Sequence, residues 1–366
     1  MHEALPPGGV IGILGGGQLG RMLALAAARL GFKAHIFAPE RDCPAAQVAQ
    51  HHTIAAFDDA AALRQFAAKA DVVTFEFENV PAATVDVLIE AGADVAPNGR
   101  ALATAQDRLI EKQFVQSVGA RTAPFAAVDD LASLRAAVAA IGRPAILKTR
   151  RLGYDGKGQT VLSDAAKSLG DEWDAANEKA WRELGARPSI LEGFVPFVME
   201  ISVIAARGRD GAVALFDAPR NEHKGGILRR STVPSGAPAR ALKDAEAIAV
   251  AMLGALDYVG VIGVEFFVLE GGDVLVNEFA PRVHNSGHWT EAACAASQFE
   301  QHIRAVAGWP LASTRRHSDC VMENLIGDEV DRWRDLAPEA DVVINLYGKT
   351  PAAEGRKMGH VTRLVR

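Results

Sequence analysis

The chain has 366 residues, 49% of them hydrophobic and 23% charged; at about 150 residues per domain this leaves room for two or three domains with sizeable cores and excludes collagen-like and long disordered classes. Lys and Arg total 39 against 45 Asp and Glu, a net charge of −6 at pH 7, so a polybasic nucleic-acid or lipid footprint is excluded. The three cysteines, Cys43, Cys294 and Cys320, have no CxxC spacing, which excludes a disulfide framework and a thiolate zinc site and fits a reducing compartment.

Met1 to Gly9 is polar and rich in Pro and Gly, not a secretory signal, and a cytoplasmic location is expected. Val10 to Leu14 is a short apolar strand, Gly15 to Gly20 a glycine loop, Arg21 to Leu30 a helix and Lys33 to Phe37 a second strand. This is a βαβ unit. A strand at Ile54, a helix over Ala60 to Lys69, a strand over Asp71 to Phe77 and a helix over Pro81 to Ala91 continue the alternation. The expectation is a Rossmann-like, doubly wound parallel sheet over the first hundred or so residues.

After Asn98-Gly99 come a helix near Ala105 to Val118, a helix at Leu131 to Ile141 and a strand at Pro144 to Thr149. From Gln159 strands follow one another in pairs, which predicts α+β structure with antiparallel pairing. A charged helix over Ser163 to Arg187 interrupts them, with Trp173 and Trp181 as its buried stripe. The apolar stretch Ala247 to Leu269 contains Asp257, Glu265 and three glycines, so it reads as a helix feeding a strand, not as a membrane span. Boundaries fall near 105 and 310, giving domains 1–105, 106–310 and 311–366.

Gly15, Gly17 and Gly20 satisfy G-x-G-x-x-G between a strand and a helix, with Glu40 twenty residues on. A nicotinamide dinucleotide and a phosphorylated substrate both suit such a loop, because the helix N-terminus offers N–H groups to any phosphate. The plain alternative is a tight strand-to-helix turn. Strand four ends in Phe75-Glu76-Phe77-Glu78-Asn79; ligands bind at the carboxyl ends of parallel strands, so one of Glu76 and Glu78 is expected to face the crevice.

The run Val261 to Asn277 holds two β-rich segments around Gly271-Gly272, a hairpin turn signal. If Glu270 faces Asp273, strict register places Glu265 opposite Glu278. Two adjacent carboxylates repel unless a cation or proton intervenes, and magnesium, a hard ion that takes oxygen ligands and leaves room for phosphate oxygens, fits that need. Carboxylates splayed into water are the alternative. Asn277 would then point away unless a bulge occurs there. Lys148, alone in an apolar strand, is expected to face a ligand. Gly153 to Gly158 is a glycine-rich lid that lacks both P-loop and protein-kinase spacing. Ile190 to Val195 reads either as an adenine-reading strand edge, with Glu200 reaching ribose hydroxyls, or as a plain connection. Arg282, His284 and Asn285 suggest an anion pocket, since Gly287 between His284 and His288 disfavours a helical zinc pair.

Taken in this order the features resemble the ATP-grasp superfamily, and within it the 5-(carboxyamino)imidazole ribonucleotide synthases of purine biosynthesis. The resemblance covers nearly the whole chain and rests on 15–22, 75–79, the 153–158 loop, 277–288, Leu346-Tyr347-Gly348-Lys349 and Gly355 to His360. It implies a central ATP-grasp domain and a small C-terminal domain. It also implies ATP contacts at Arg108, Lys148, Gly153, Tyr154, Asp155, Gly156, Lys157, Gly158, Gln159, Glu192, Gly193, Phe194, Val195, Glu200, His223, Asn277 and Glu278. Glu265 and Glu278 would hold Mg2+. Arg282, His284 and Asn285 would hold bicarbonate, with Lys148 and Arg282 offsetting charge in the transition state. Aminoimidazole ribonucleotide would meet Gly17, Gln18, Leu19, Glu76, Asp155, Lys157, Lys349, Arg356 and Lys357.

The resemblance further implies a cytoplasmic homodimer with small-molecule substrates and neither nucleic-acid nor membrane partners. Members of the family commonly continue with a helical segment beyond the Gly-His pair. This chain ends six residues after His360, so a shortened third domain is expected. The alternatives are a nicotinamide-dependent oxidoreductase, resting on the first glycine loop and Glu40, another ATP-grasp ligase such as a formate-using transformylase or a biotin carboxylase, and a non-catalytic binding protein.

Overall fold

A computed structural model describes residues 3–153, 158–163 and 171–365, with backbone alone for 82 and 171–174. Strand β1 (Val10–Leu14), helix α1 (Gln18–Arg29), β2 (Lys33–Ala38), β3 (His51–Ile54), α2 (Ala60–Ala67), β4 (Val72–Phe75) and α3 (Ala82–Glu90) form the first unit. Its sheet is all parallel in the order β3-β2-β1-β4, as the alternation of apolar strands and alanine-rich helices requires.

The single helix expected near Ala105 to Val118 is two: α4 (Gly99–Ala105) and α5 (Arg108–Ser117). Asp107 separates them, its carboxylate accepting from the Leu109 and Ile110 N–H groups as the N-cap of α5. Strand β5 (Phe125–Val128), α6 (Leu131–Ile141), β6 (Ala145–Thr149), β7 (Gln159–Leu162), α7 (Asp171–Glu183) and β8 (Ser189–Gly193) follow. The strands make an antiparallel sheet in the order β5-β8-β6-β7, with α6 packed on it. Of the expected charged helix, 164–170 lie outside the described residues and α7 spans Asp171–Glu183; Trp181 is buried there, and the side chain of Trp173 also lies outside the described residues.

Strands β9 (Phe197–Arg207), β10 (Val213–Leu215), β11 (Arg220–Lys224) and β12 (Ile227–Val233) lead through α8 (Ala239–Ala255) to β13 (Gly260–Leu269) and β14 (Val274–Ala280). Helices α9 (Thr290–Ala293) and α10 (Gln298–Val306), strand β15 (Asp319–Ile326), α11 (Trp333–Leu336), β16 (Val342–Leu346) and β17 (Lys357–Val365) complete the chain. These strands build one nine-stranded sheet, β14-β13-β9-β11-β12-β15-β17-β16, with β10 on β9. The last three strands therefore extend the central sheet, β15 pairing with β12.

Helix α8 lies close on this sheet because its inward positions Ala241, Ala245 and Ala249 carry only methyl groups. A second apolar cluster joins Leu23 of α1, Phe299 and Ile303 of α10, Ile204 of β9 and Met322 of β15. Each such fully buried large side chain contributes about 1.5–3 kcal/mol. This shared core fixes the first sheet against the central one around the cavity described next. Among the described residues no helix is long and apolar enough to cross a membrane.

Candidate active site

The hairpin β13–β14 places Glu265 directly opposite Glu278. The pairing is as the register argument expects, but the route differs. Near the turn the Leu269 N–H donates to Asp273 O and the Gly272 N–H to Leu269 O, so the loop is one residue longer than a Glu270–Asp273 pair would make it. Gly271 and Gly272, with φ of +91° and +87°, supply the backbone that this turn needs. Phe266 then pairs with Val276, and a bulge at Asn277 restores the register so that Glu278 meets Glu265. Helix α5 pins this bulge: Lys112 Nζ donates to Asn277 O at 2.5 Å and Glu111 Oε1 accepts from Phe279 N at 2.6 Å.

A cavity of about 670 Å³ opens over the two carboxylates. Of the expected site residues its walls carry Gln18, Leu19, Glu76, Arg108 and Gly153, then Glu265, Glu278, Arg282, His284 and Asn285, then Lys349, Arg356 and Lys357. These come from the start of α1, the end of β4, the start of α5, the loop after β6, the β13–β14 hairpin and the turn after it, and the segment leading into β17. The positive charges Lys349 and Lys357 act on Glu76 and on Glu265 and His284, respectively.

Burial is the largest influence on Glu278, yet Arg108 at 2.7 Å overrides it and holds this carboxyl low. Glu265 is pushed the other way, by burial and then by the Glu278 charge. Two opposed carboxylates repel, and a proton or a cation between them relieves that repulsion. Among the described residues no group of three or more His, Cys, Asp or Glu could close a metal cage. The donor set is two hard oxygen ligands, which fits a magnesium ion whose remaining positions are taken by phosphate oxygens and water.

Arg282 is bound by Glu78 in a two-pronged pair, Nη2 to Oε1 at 3.1 Å with Nε on Oε2. Glu78, which lines the cavity as Glu76 does, therefore orients Arg282. His284 Nδ1 lies 2.8 Å from Ser286 Oγ and Nε2 3.6 Å from Glu265 Oε1. Burial, then Arg282 and Lys357, drive its pKa down to about 3, so the ring is neutral. Asn285 exchanges two amide hydrogen bonds with Asn324, at 3.0 and 2.7 Å. Lys349 Nζ donates to Lys357 O at 2.8 Å, and Arg356 to the Thr350 and Pro351 carbonyls.

The glycine loop is closed from within. The Gly17 N–H donates to Glu76 Oε1 at 2.5 Å and the Gly20 N–H to Glu76 Oε2 at 2.8 Å. A Cβ at Gly15 or Gly17 would sit 2.2 Å from Glu76 Cγ or 2.6 Å from Oε1. The glycines thus admit a protein carboxylate, and a dinucleotide pyrophosphate would meet an anion already on its donors. Glu40 is exposed at the end of β2. The oxidoreductase reading loses its site.

The remaining expected residues lie off this cavity's lining, several of them along the cleft between the small antiparallel sheet and the central one. Lys148 is buried and paired with Glu192 at 3.0 Å; burial lowers its pKa against the pull of that carboxylate. The lone lysine of β6 is thus not unpartnered. Lys112 reaches the same Glu192 at 3.3 Å, linking the two sheets. Gly193 and Phe194 donate their N–H groups to Pro124 and Pro144 carbonyls, and Val195 packs beside Leu275. Glu200 and His223 are 2.5 Å apart; burial alone would lower the histidine, but Glu200 and Glu265 raise it. Gly158 O accepts from the Thr149 N–H, and Gln159 pairs with Lys148 across β6 and β7. Tyr154, Asp155, Gly156 and Lys157 lie outside the described residues.

Sequence reasoning missed Lys112, Glu111 and Asp107. Burial drives the Glu111 pKa up to about 8. Asp107 is held low, against burial, by Arg150. The only available signal was the acid-to-helix step at Asp107, an N-cap signature.

Family models match three consecutive segments: a ribonucleotide synthetase preATP-grasp domain over residues 9–106, an ATP-grasp domain over 113–299 and a phosphoribosylaminoimidazole carboxylase C-terminal domain over 320–366. The N5-carboxyaminoimidazole ribonucleotide synthase of Brucella melitensis is 56% identical over 361 residues, 99% of this chain and 98% of that protein. The ADP complex of an N5-carboxyaminoimidazole ribonucleotide synthetase superposes with a TM-score of 0.94 at 38% identity, covering 100% of this chain and 94% of that one. The Aspergillus clavatus N5-carboxyaminoimidazole synthase, solved with ADP and 5-aminoimidazole ribonucleotide, gives a TM-score of 0.89 at 29% identity, covering 98% of this chain and 94% of that one.

Proposed function

The chain belongs to the N5-carboxyaminoimidazole ribonucleotide synthase family of ATP-grasp ligases, whose reaction in purine biosynthesis is the ATP-dependent carboxylation of 5-aminoimidazole ribonucleotide, and from that premise we propose how its residues divide the work. Glu265 and Glu278 hold Mg2+, which when bound neutralises charge on the nucleotide phosphates. Arg108 and Lys148 meet those phosphates, flanked by Gly153, Gly158, Gln159 and Asn277. The strand end from Glu192 to Val195 borders the adenine, and Glu200, oriented by His223, takes the ribose hydroxyls.

Arg282, His284 and Asn285 form the bicarbonate pocket. A bicarbonate oxygen attacks the γ-phosphorus, the bond to the β-phosphate oxygen breaks, and ADP leaves with carboxyphosphate remaining. Arg282, set in place by Glu78, and Lys148 offset the charge that develops on the transferring group. The substrate amine then attacks the carboxyl carbon, or the carbon dioxide it releases, and phosphate departs. Gln18 and Leu19 receive the substrate's phosphate while Gly17 holds Glu76 toward the base, and Lys349, Arg356 and Lys357 supply positive charge.

The observation that carries this reading is the opposed Glu265–Glu278 pair under a cavity whose other wall bears Arg282, His284 and Asn285. We also propose the domain division 1–105, 106–310 and 311–366, a homodimer, and a cytoplasmic setting, which suits three free and buried cysteines. The test is ADP release from Mg-ATP with bicarbonate and aminoimidazole ribonucleotide each present or withheld. Strong release that needs both supports the reading; release driven by formate overturns the bicarbonate pocket.

A further inference from the structure

Behind His284 runs a line of buried polar side chains. Ser286 Oγ lies 2.8 Å from His284 Nδ1 and 2.6 Å from Ser202 Oγ. Asn221 Nδ2 donates to Ser202 Oγ at 3.0 Å, and Ser231 Oγ donates to Asn221 Oδ1 at 2.8 Å. Ser202, Ser231 and Ser286 are 0% exposed and Asn221 4%. The members sit on β9, β11, β12 and the turn after β14, and Ser202 is the backbone partner of Glu265. Four buried polar residues in the middle of a sheet are costly unless every bond is made, so this chain calls for a purpose beyond packing.

We propose that the chain Ser231–Asn221–Ser202–Ser286 fixes His284 in the tautomer that carries its proton on Nε2, making it a hydrogen-bond donor toward the carboxylate side of the cavity. Hydroxyls and a side-chain amide can be reversed as a set, so the chain alone permits two directions. The backbone N–H of Ser286 breaks the tie: it points at His284 Nδ1 at 3.4 Å and can only donate. A proton on Nδ1 would face that hydrogen. Nδ1 therefore offers its lone pair, the Ser286 hydroxyl donates to it, the Ser202 hydroxyl donates to Ser286, the Asn221 amide donates to Ser202, and Ser231 donates to Asn221. Which ring nitrogen is protonated is set by the bond the other makes. Nε2–H is thus aimed at Glu265 Oε1, 3.6 Å away, and at the cavity.

The chemical consequence rests on the bicarbonate pocket proposed above. A neutral Nε2–H donor stabilises negative charge on a carbonate oxygen as it attacks and on the carboxyl group it becomes. It does not accept the bicarbonate proton at Nε2, which has no lone pair to give. Ser286 and Ser202 are positioning residues: they act through His284.

The test begins on the unliganded wild-type enzyme, 15N-labelled at histidine, near pH 7.5, with the His284 ring signals assigned by comparison with His284→Gln. Long-range 1H–15N correlations are expected to show a pyridine-type Nδ1 and a pyrrole-type Nε2. The opposite pattern overturns the proposal. Ser286→Ala is expected to mix the tautomers and lower kcat by about tenfold, in the range for groups that orient a reacting residue, with the KM for ATP unchanged; Ser202→Ala, one link further back, moves both readouts less. An unaltered His284 spectrum in Ser286→Ala also overturns the proposal. If the spectrum changes as expected but turnover and the bicarbonate KM do not, the tautomer assignment stands and the bicarbonate pocket falls.

Discussion

Lys112 is 1% exposed and joins the small antiparallel sheet to the central one, its ammonium 3.3 Å from Glu192 on β8 and 2.5 Å from the Asn277 carbonyl at the β14 bulge. Removing one partner of a buried ion pair costs about 3–5 kcal/mol. Lys112→Ala leaves Asn277 O without its donor, but Lys148 stays 3.0 Å from Glu192, so the loss falls at the lower end, about 3 kcal/mol. That is roughly a hundredfold in the unfolding equilibrium. Urea unfolding followed by tryptophan fluorescence measures it. Lys112→Met keeps the buried stem and removes only the charge, so it is expected to lose nearly as much. Because the bulge sets Glu278 against Glu265, the KM for ATP rises in both variants. A loss below about 1 kcal/mol in both, the value of an exposed pair, with an unchanged KM would refute the bracing of the β13–β14 hairpin by Lys112.

Glu278→Ala is expected to cut turnover at least about a hundredfold, as for other groups that stabilise transition-state charge, with a urea midpoint close to wild type. The midpoint holds because losing the Arg108 partner is offset by relief of Glu265 and Glu111, both pushed up by the Glu278 charge after burial. Burial raises the pKa of Glu291 from 4.5 to about 7; the stability this group contributes is full below pH 4.5 and is lost as pH rises through about 7. Glu291→Gln removes that dependence, so at pH 8 the variant is expected to be more stable than wild type by up to about 3 kcal/mol, and the gain disappears near pH 4.5 in paired denaturation curves. Gly17→Ala drives a Cβ to within 2.6 Å of Glu76 Oε1 and strains two N–H bonds to a carboxylate, costing about 1–3 kcal/mol and raising the KM for aminoimidazole ribonucleotide; unchanged values in both would show that the glycine is not needed for the approach of Glu76.

Elements with strong local signals were legible from sequence. Helix α6 begins and ends where its residues dictate, with Asp130 accepting from the Ser133 N–H at 2.7 Å and Gly142 closing it at φ +86°. The Glu265–Glu278 pair was legible because a glycine turn and a period-two pattern bound its register. The longer turn and the compensating bulge were not, because strand arithmetic has no term for the Lys112 and Glu111 bonds that hold the bulge. Partners distant in sequence stayed hidden for the same reason: Glu78 and Arg282 are 204 residues apart, and Glu76 fills the glycine loop from another strand. In helix α5 nothing local in the sequence marks Glu111 and Lys112 as buried. The serines and asparagine behind His284 carry no motif; only the sheet order puts them in line.

The most direct test of the account follows oxygen. With 18O-bicarbonate, Mg-ATP and aminoimidazole ribonucleotide, attack of a bicarbonate oxygen on the γ-phosphorus transfers one label to the inorganic phosphate released. Labelled phosphate from wild type, formed at least about a hundredfold more slowly by Glu278→Ala, is the expected result; ADP formation with wholly unlabelled phosphate would contradict it, because the phosphoryl group would then have been taken by water or another acceptor.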